Sequence, residues 1–302
     1  FRIDTLKHVE HEFWRVFCAQ VRLRLAARGK TNFFMFGEAF DGRDDLIGSF
    51  TLENRLDSVF YFSQKFRVFD DIFMNGGPTS NIQTLFDDRA ANYGHAPQTG
   101  GIGLRPDQVL VNFIDNHDVT RFLYRRRDAQ GTAALRAALT YLLTEDGIPC
   151  IYYGTEQELA GGNDPANREP LWTTGYSTEG ETFRHTARLT RIRRHYPALG
   201  RGSFEIAWVT DRTADEEDAG IIAFERRDGT SYALVVINAQ GDHPSATAFE
   251  GTAMSVNAGA GSALRDVLSG DSFTVAGDGT LRVEVDPYQS RVLVHAGDYQ
   301  EF

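Results

Sequence analysis

Over residues 1–199, short continuous apolar runs alternate with segments whose apolar residues recur every three or four positions. A continuous run fits a strand covered on both faces, and the longer spacing fits a helix with one buried face. The first run is Phe1-Arg2-Ile3-Asp4. A helix follows, marked by Phe13, Trp14, Phe17, Val21 and Leu25, with Gly29 suited to cap its end. A second run ends at Glu38, and a third spans Leu56–Phe62. Phe66, Phe69, Ile72 and Phe73 mark one face of further helix, before a strand from Val109 to near Asn116. Leu135, Leu139, Leu142 and Leu143 predict a helix stopped by Gly147, and Ile148–Tyr153 reads as the fifth strand. After a long loop, a last helix spans Glu181–His195 and is closed by Pro197. Such a βα repeat predicts a parallel sheet, although five strands are too few to close an eight-stranded barrel.

From about Gly200 the pattern shortens to strands at Phe204–Thr210, Gly220–Arg226, Ser231–Asn238, Ala263–Leu268, Leu281–Val285 and Ser290–His295. Asp228-Gly229 between two of them is a hairpin signal, and Val256–Gly261 is a loop of small residues. The expectation is an antiparallel sandwich over residues 200–302, after an α/β domain over 1–199.

Composition narrows the function classes. With 302 residues, 41% of them hydrophobic, the chain can bury two cores. Its formal charge of −11 argues against a nucleic-acid surface, which needs a basic face. No apolar run approaches a membrane span, so no membrane role is expected. Cys18 and Cys150 are the only cysteines and are expected as buried free thiols. The chain opens on Phe1 inside a strand pattern, with no initiator Met, so a fragment or processed product is expected.

Three acids sit where the apolar runs end: Asp4, Glu38 and, in Phe113-Ile114-Asp115-Asn116-His117-Asp118, Asp118. Carboxyls at the carboxyl ends of parallel strands line the catalytic rim of an α/β barrel. Two that converge there suit glycoside hydrolysis. Each acid alone reads equally well as a turn or a helix cap; the three together point to chemistry. Arg2 precedes Asp4 by two residues, so both side chains share one face of the strand.

The segments FRIDTLKHV, FMFGEAF and FIDNHD resemble, in order and spacing, three signatures of the alpha-amylase family of glycoside hydrolases. IYYGTEQELAGGNDPANREPLW resembles the loop after the last barrel strand in secreted starch-degrading members. The resemblance implies the C-terminal part of a (β/α)8 TIM barrel, about five of eight strands, followed by an antiparallel β-sandwich domain. It implies Asp4 as nucleophile, Glu38 as acid and base, and Asp118 as the carboxylate favouring the transition state. Like-charged neighbours are expected to raise Glu38. Arg2 would orient Asp4, and His117 would bond the sugar at the cleavage point. Lys7 and His8 match a Lys-His pair that contacts sugar, the His8 carbonyl also serving a structural calcium; a plain loop with a surface lysine is the alternative. Asp164 and Arg168 resemble a pair that grips sugar on the non-reducing side, and Trp172 or Tyr153 could stack on a sugar or be buried.

Family members carry three more barrel strands and an inserted domain that supplies most calcium ligands, so the missing N-terminal half of the barrel is an expected partner. The implied activity is retaining endo-hydrolysis of α-1,4-glucans, with α-glucan polysaccharide or maltooligosaccharide as ligand and a secreted location inferred from substrate size. Transglycosylation or oligosaccharide hydrolysis stays open, Glu10 and Phe13-Trp14 leaning toward hydrolysis. A non-catalytic scaffold, a truncated chain inactive alone, and a starch-binding sandwich also remain alternatives.

Overall fold

The structure is a computed structural model that describes residues 1–302, and the chain divides into two compact units. The first comprises residues 1–67, 84–113 and 147–150. It holds all five parallel strands: β1 (Arg2–Ile3), β2 (Phe36–Gly37), β3 (Ser58–Val59), β4 (Val111–Phe113) and β5 (Ile148–Cys150). β1, β2 and β3 pair in that order, and β4 pairs with β5. A parallel bridge from Phe60 to Val111 joins the two sets. The fold is thus a five-stranded portion of a (β/α)8 barrel.

The ladders are shorter than the apolar runs that predict them. Leu56–Phe62 forms a ladder only at Ser58–Val59, with the single Phe60 bridge beyond it, because Phe62–Gln64 already turns into helix. Ile148–Tyr153 pairs only to Cys150, because a turn with Tyr152 as acceptor and Thr155 as donor begins there. Cys150, at that strand end, is consequently only half-buried, whereas Cys18 is fully buried; both are free. Burial pushes the Cys18 thiol up to about 11.

Helix α1 (His11–Ala26) ends as expected at Gly29, whose φ of 70° suits glycine. Just past β3, Phe60 and Phe62 meet Phe113 of β4 edge-on at 5.4 and 4.8 Å. The segment marked by Phe66, Phe69, Ile72 and Phe73 is helical but wound as a π-helix, Lys65–Met74.

The second unit comprises residues 68–83, 114–146 and 151–302. Its main sheet has six antiparallel strands. Chain order gives β6 (Ser203–Trp208), β7 (Ile221–Asp228), β8 (Ser231–Asn238), β9 (Ser245–Ala246), β10 (Ala248–Phe249), β11 (Thr252–Ser255), β12 (Ala263–Asp266), β13 (Ser272–Thr274), β14 (Thr280–Leu281), β15 (Glu284–Val285) and β16 (Ser290–His295). The sheet order is β13-β12-β16-β8-β7-β6, and two smaller sheets, β10-β11-β14 and β15-β9, supply the other layer. Leu234, Val236 and Leu293 of the large sheet share one buried cluster with Met254, Leu281 and Val285 of the small ones, which makes this a sandwich.

Four short strands, β9, β10, β11 and β13, escape the sequence pattern, and Leu281–Val285 splits into β14 and β15 with different partners. Two-residue ladders carry too few alternations to register as a period. Asp228 pairs with Ser231, so the hairpin loop is Gly229-Thr230, with the positive φ at Gly229.

Two helices pack in this unit, here α2 (Ala129–Thr144) and α3 (Glu181–His195). α2 is apolar nearly all round and correspondingly buried, Tyr141 meeting Phe224 of β7 edge-on at 5.7 Å. It ends at Thr144, earlier than Gly147 suggests. Pro197, expected only to close α3, also opens a further short helix, Pro197–Arg201.

His185 lies between α2 and α3, its Nε2 2.9 Å from Thr140 Oγ1 and 3.1 Å from the Arg136 carbonyl oxygen. Burial pushes its imidazole down to about 4, the Arg136 and Arg188 guanidiniums adding to the effect against the hydrogen bond to the Arg136 backbone. An unfolded histidine titrates near ~6.5. Between these values the unfolded chain binds a proton that the folded chain refuses, so stability falls as pH drops through that window. The expected loss is on the order of 3 kcal/mol. Denaturant titration across that range should show it, and His185→Gln should flatten this part of the curve.

Candidate active site

In the first unit the end of β1 is fastened to the end of β2. Glu38 N donates to Ile3 O at 2.8 Å, and Leu6 N donates to Glu38 O at 2.7 Å, so backbone bonds flank Asp4 on both sides. This brings two acids separated by 34 positions to one rim of the sheet. Arg2 completes the arrangement: Nη1 donates to Asp4 Oδ1 at 2.5 Å and Nη2 to Glu38 Oε2 at 2.8 Å. One guanidinium therefore bridges both carboxylates. Asp4 is open to solvent, with 63% of its side chain exposed, while Glu38 keeps only 10%. An open carboxylate has the access to a substrate atom that a nucleophile needs.

Lys7 and His8 follow on a short 3-10 helix, Leu6–His8, entered through Thr5 at φ 54°. Leu6 is buried against Gly37, where any Cβ would come within 2.7 Å of its side chain. Lys7 Nζ donates to the Phe40 carbonyl oxygen and lies 3.6 Å from Asp41. Arg43, hydrogen-bonded to Asp41, holds that carboxyl down at about 2, with Lys7 adding to the effect. The lysine is thus held at the rim by acceptors instead of trailing free.

His8 is exposed, and its carbonyl is a single oxygen where calcium takes six to eight. No group of three or more His, Cys, Asp or Glu side chains stands close enough to hold a metal ion. The residues present do not by themselves make a calcium site.

In the second unit, the segment after β4 forms its own cluster. Asn116 Oδ1 accepts from the backbone N–H of Asp118, 2.8 Å, and of Val119, 3.2 Å, a turn that displays His117 and Asp118. His117 Nε2 lies 3.2 Å from Asp118 Oδ2. Arg168 pairs with Asp164 at 2.6 Å and also approaches Asp118 at 3.9 Å. Four of the expected residues therefore meet here. Asn167 ties the two loops, donating to Val119 O at 2.8 Å.

Sequence reading missed the supports of this cluster. Arg121 is fully buried, donates to Tyr153 O at 2.8 Å and to Glu169 at 3.1 Å, and stacks over Tyr152 at 4.1 Å. Asp115 accepts from Phe122 N and from the Thr155 hydroxyl. An arginine shortly after a strand-end acid was the available signal. Tyr153 and Trp172 are both exposed, Trp172 at 68%.

A family model for the alpha-amylase catalytic domain matches residues 3–196, and one for the maltogenic amylase C-terminal domain matches 212–292. The chain belongs to the alpha-amylase family. Among its relatives, an alpha-amylase of Streptomyces lividans is 30% identical over 331 residues, covering 98% of this chain and 33% of that one. A cyclomaltodextrin glucanotransferase of Bacillus sp. (strain 1011) is 29% identical, covering 92% and 35%. The crystal structure of an Anoxybacillus alpha-amylase aligns with a TM-score of 0.76 at 26% identity, over 98% of this chain and 58% of that one. The chain thus spans about a third of the length of these curated relatives. Alpha-amylase family membership makes a glycoside hydrolase frame the setting for the Arg2-bridged carboxylates. No helix is long and apolar enough to cross a membrane.

Proposed function

We propose that the protein carries out retaining endo-hydrolysis of α-1,4-glucosidic bonds in starch-like glucans, outside the cell where such polymers are met. The observation that carries this reading is the pair Asp4 and Glu38 on one guanidinium. Sharing a guanidinium favours the close spacing of about 5–5.5 Å needed for double displacement over the wider gap that admits a water between acids.

In the first step an Asp4 oxygen attacks the anomeric carbon while the glycosidic C–O bond breaks and the leaving oxygen takes the proton of Glu38. In the second step Glu38 accepts a proton from water, whose oxygen attacks the same carbon and releases Asp4. Asp118 is assigned to the sugar hydroxyls and the developing positive charge. His117, Lys7, His8 and the Asp164–Arg168 pair are assigned to substrate contact. Asp118→Asn is expected to lower kcat by roughly 10²–10³-fold, in line with loss of one electrostatic stabiliser.

The deciding experiment is reducing-end release from amylose by the 302-residue chain, with the anomer of fresh product followed by NMR. An α-anomer appearing first supports double displacement; a β-anomer would sink it. Absence of any sugar release would remove hydrolysis from this chain. The glucanotransferase relatives keep transglycosylation as a second reading. Its mark is products longer than the starting oligosaccharide.

A further inference from the structure

A cleft of about 720 Å³ in the second unit belongs to none of the residues assigned above. It opens between the segment leading into α2 and the loop 158–169. Its base is Gly161-Gly162, both buried. Neither glycine has the positive φ that would demand glycine on conformational grounds. Close approach demands it instead. A Cβ on Gly161 would come within 1.8 Å of the Ala166 carbonyl oxygen, and one on Gly162 within 2.7 Å of the Tyr124 ring. The missing side chain lets the Tyr124 ring settle on the loop backbone while the residue stays 44% exposed.

Around this ring stand groups of mixed polarity. Arg127, one of whose nitrogens is anchored on the Ala160 carbonyl oxygen, Glu158 and Asn163 line the cleft, and Asn163 directly precedes Asp164. Glu158 sits at φ 59°, costly for a side-chain-bearing residue, and its Oε1 accepts from the Thr182 hydroxyl. A flat aromatic body flanked by a few directed donors and acceptors is the lining that holds an uncharged, hydroxyl-rich ring. A strongly anionic ligand would meet Glu158 and Glu169, and a purely apolar one would strand the polar rim.

We propose that this cleft is an accessory glucan subsite, with Tyr124 as its stacking platform and Asn163, Arg127 and Glu158 as its hydrogen-bonding rim. The proposal rests on the glucan reading above and deepens it. Because the rim is continuous with the Asp164–Arg168 loop, a chain gripped there runs on into the cleft. Longer oligosaccharides reach the platform and short ones do not.

The test is calorimetric titration of the Glu38→Gln chain, which turns its ligand over far more slowly, with maltotriose and with maltoheptaose. The expected result is maltoheptaose binding about tenfold more tightly, a gap of ~1.4 kcal/mol. Tyr124→Ala should erase most of that advantage and leave maltotriose affinity unchanged. Asn163→Ala, at an exposed loop position, should reduce it, and Gly162→Ala should mimic Tyr124→Ala by displacing the ring. A length advantage that survives Tyr124→Ala and Asn163→Ala overturns the subsite and leaves the glucan reading intact. Equal affinity for both sugars overturns the subsite as well. Failure of either sugar to bind removes the glucan reading and the subsite with it.

Discussion

Glu38→Gln is expected to cut hydrolysis of amylose by about 10²–10⁴-fold, the usual contribution of a positioned general acid and base. Glutamine keeps the shape, and its amide oxygen can still accept from Arg2 Nη2 at the 2.8 Å contact. The backbone bonds from Glu38 N to Ile3 O and from Leu6 N to Glu38 O involve no side chain and persist. The loss should therefore appear in turnover with the melting temperature unchanged. Leaving-group dependence separates the two acids. An aryl maltoside whose phenol departs without protonation should suffer much less in the first step with Glu38→Gln, so its burst of phenol survives. Asp4→Asn removes the nucleophile, and no leaving group restores it. A Glu38→Gln variant that hydrolyses amylose at the parent rate would overturn the assignment.

The largest stability effect is expected at Asp57, a residue with no place in the chemistry. Asp57 is completely buried and pairs with buried Arg22 at 3.1 Å. Its other oxygen accepts from Met35 N at 2.9 Å, in the segment leading to β2, and its own N–H donates to Met35 O. Arg22 also donates to the carbonyls of Asn54 and Arg55. Asp57→Ala leaves a guanidinium uncompensated in the interior and strips Met35 of an acceptor. Breaking such a pair from one side costs about 3–5 kcal/mol. Urea unfolding should show the midpoint falling accordingly, and Asp57→Asn, which still accepts from Met35, should cost less. A shift below about 1 kcal/mol would mean that the pair is a bystander. Because Met35 precedes Phe36 and Glu38, local loosening there should also lower turnover in the Asp57 variants.

Much of this architecture was legible along the chain because its signals are local. The helix Glu181–His195 and the strands Ser231–Asn238 and Ser290–His295 emerge with the bounds that their periodicity predicts. Gly29 ends its helix for the conformational reason that makes glycine a stop signal. The short strands β9, β10, β11 and β13 were not legible, since pairing with distant partners defines them and two to four residues hold no period. The strand ends differ for a related reason: apolar residues continue past the ladder where the chain turns into helix, as at Phe62, or into a tight turn, as at Tyr152.

By itself the sequence determined the βα alternation, the later antiparallel strands, and the placement of Asp4, Glu38 and Asp118 just beyond apolar runs. Those are consequences of side-chain periodicity and of motif order, which a linear string carries in full. Only the tertiary structure decided that Arg2 spans both Asp4 and Glu38, that Arg121 underlies the loop of Asp164 and Arg168, and that Tyr124 rests on Gly162. Each depends on groups 36 to 48 positions apart or on the absence of a Cβ at a point of contact. Distance along the chain says nothing about proximity until the backbone has folded, and a glycine's use becomes visible only when something lies against it.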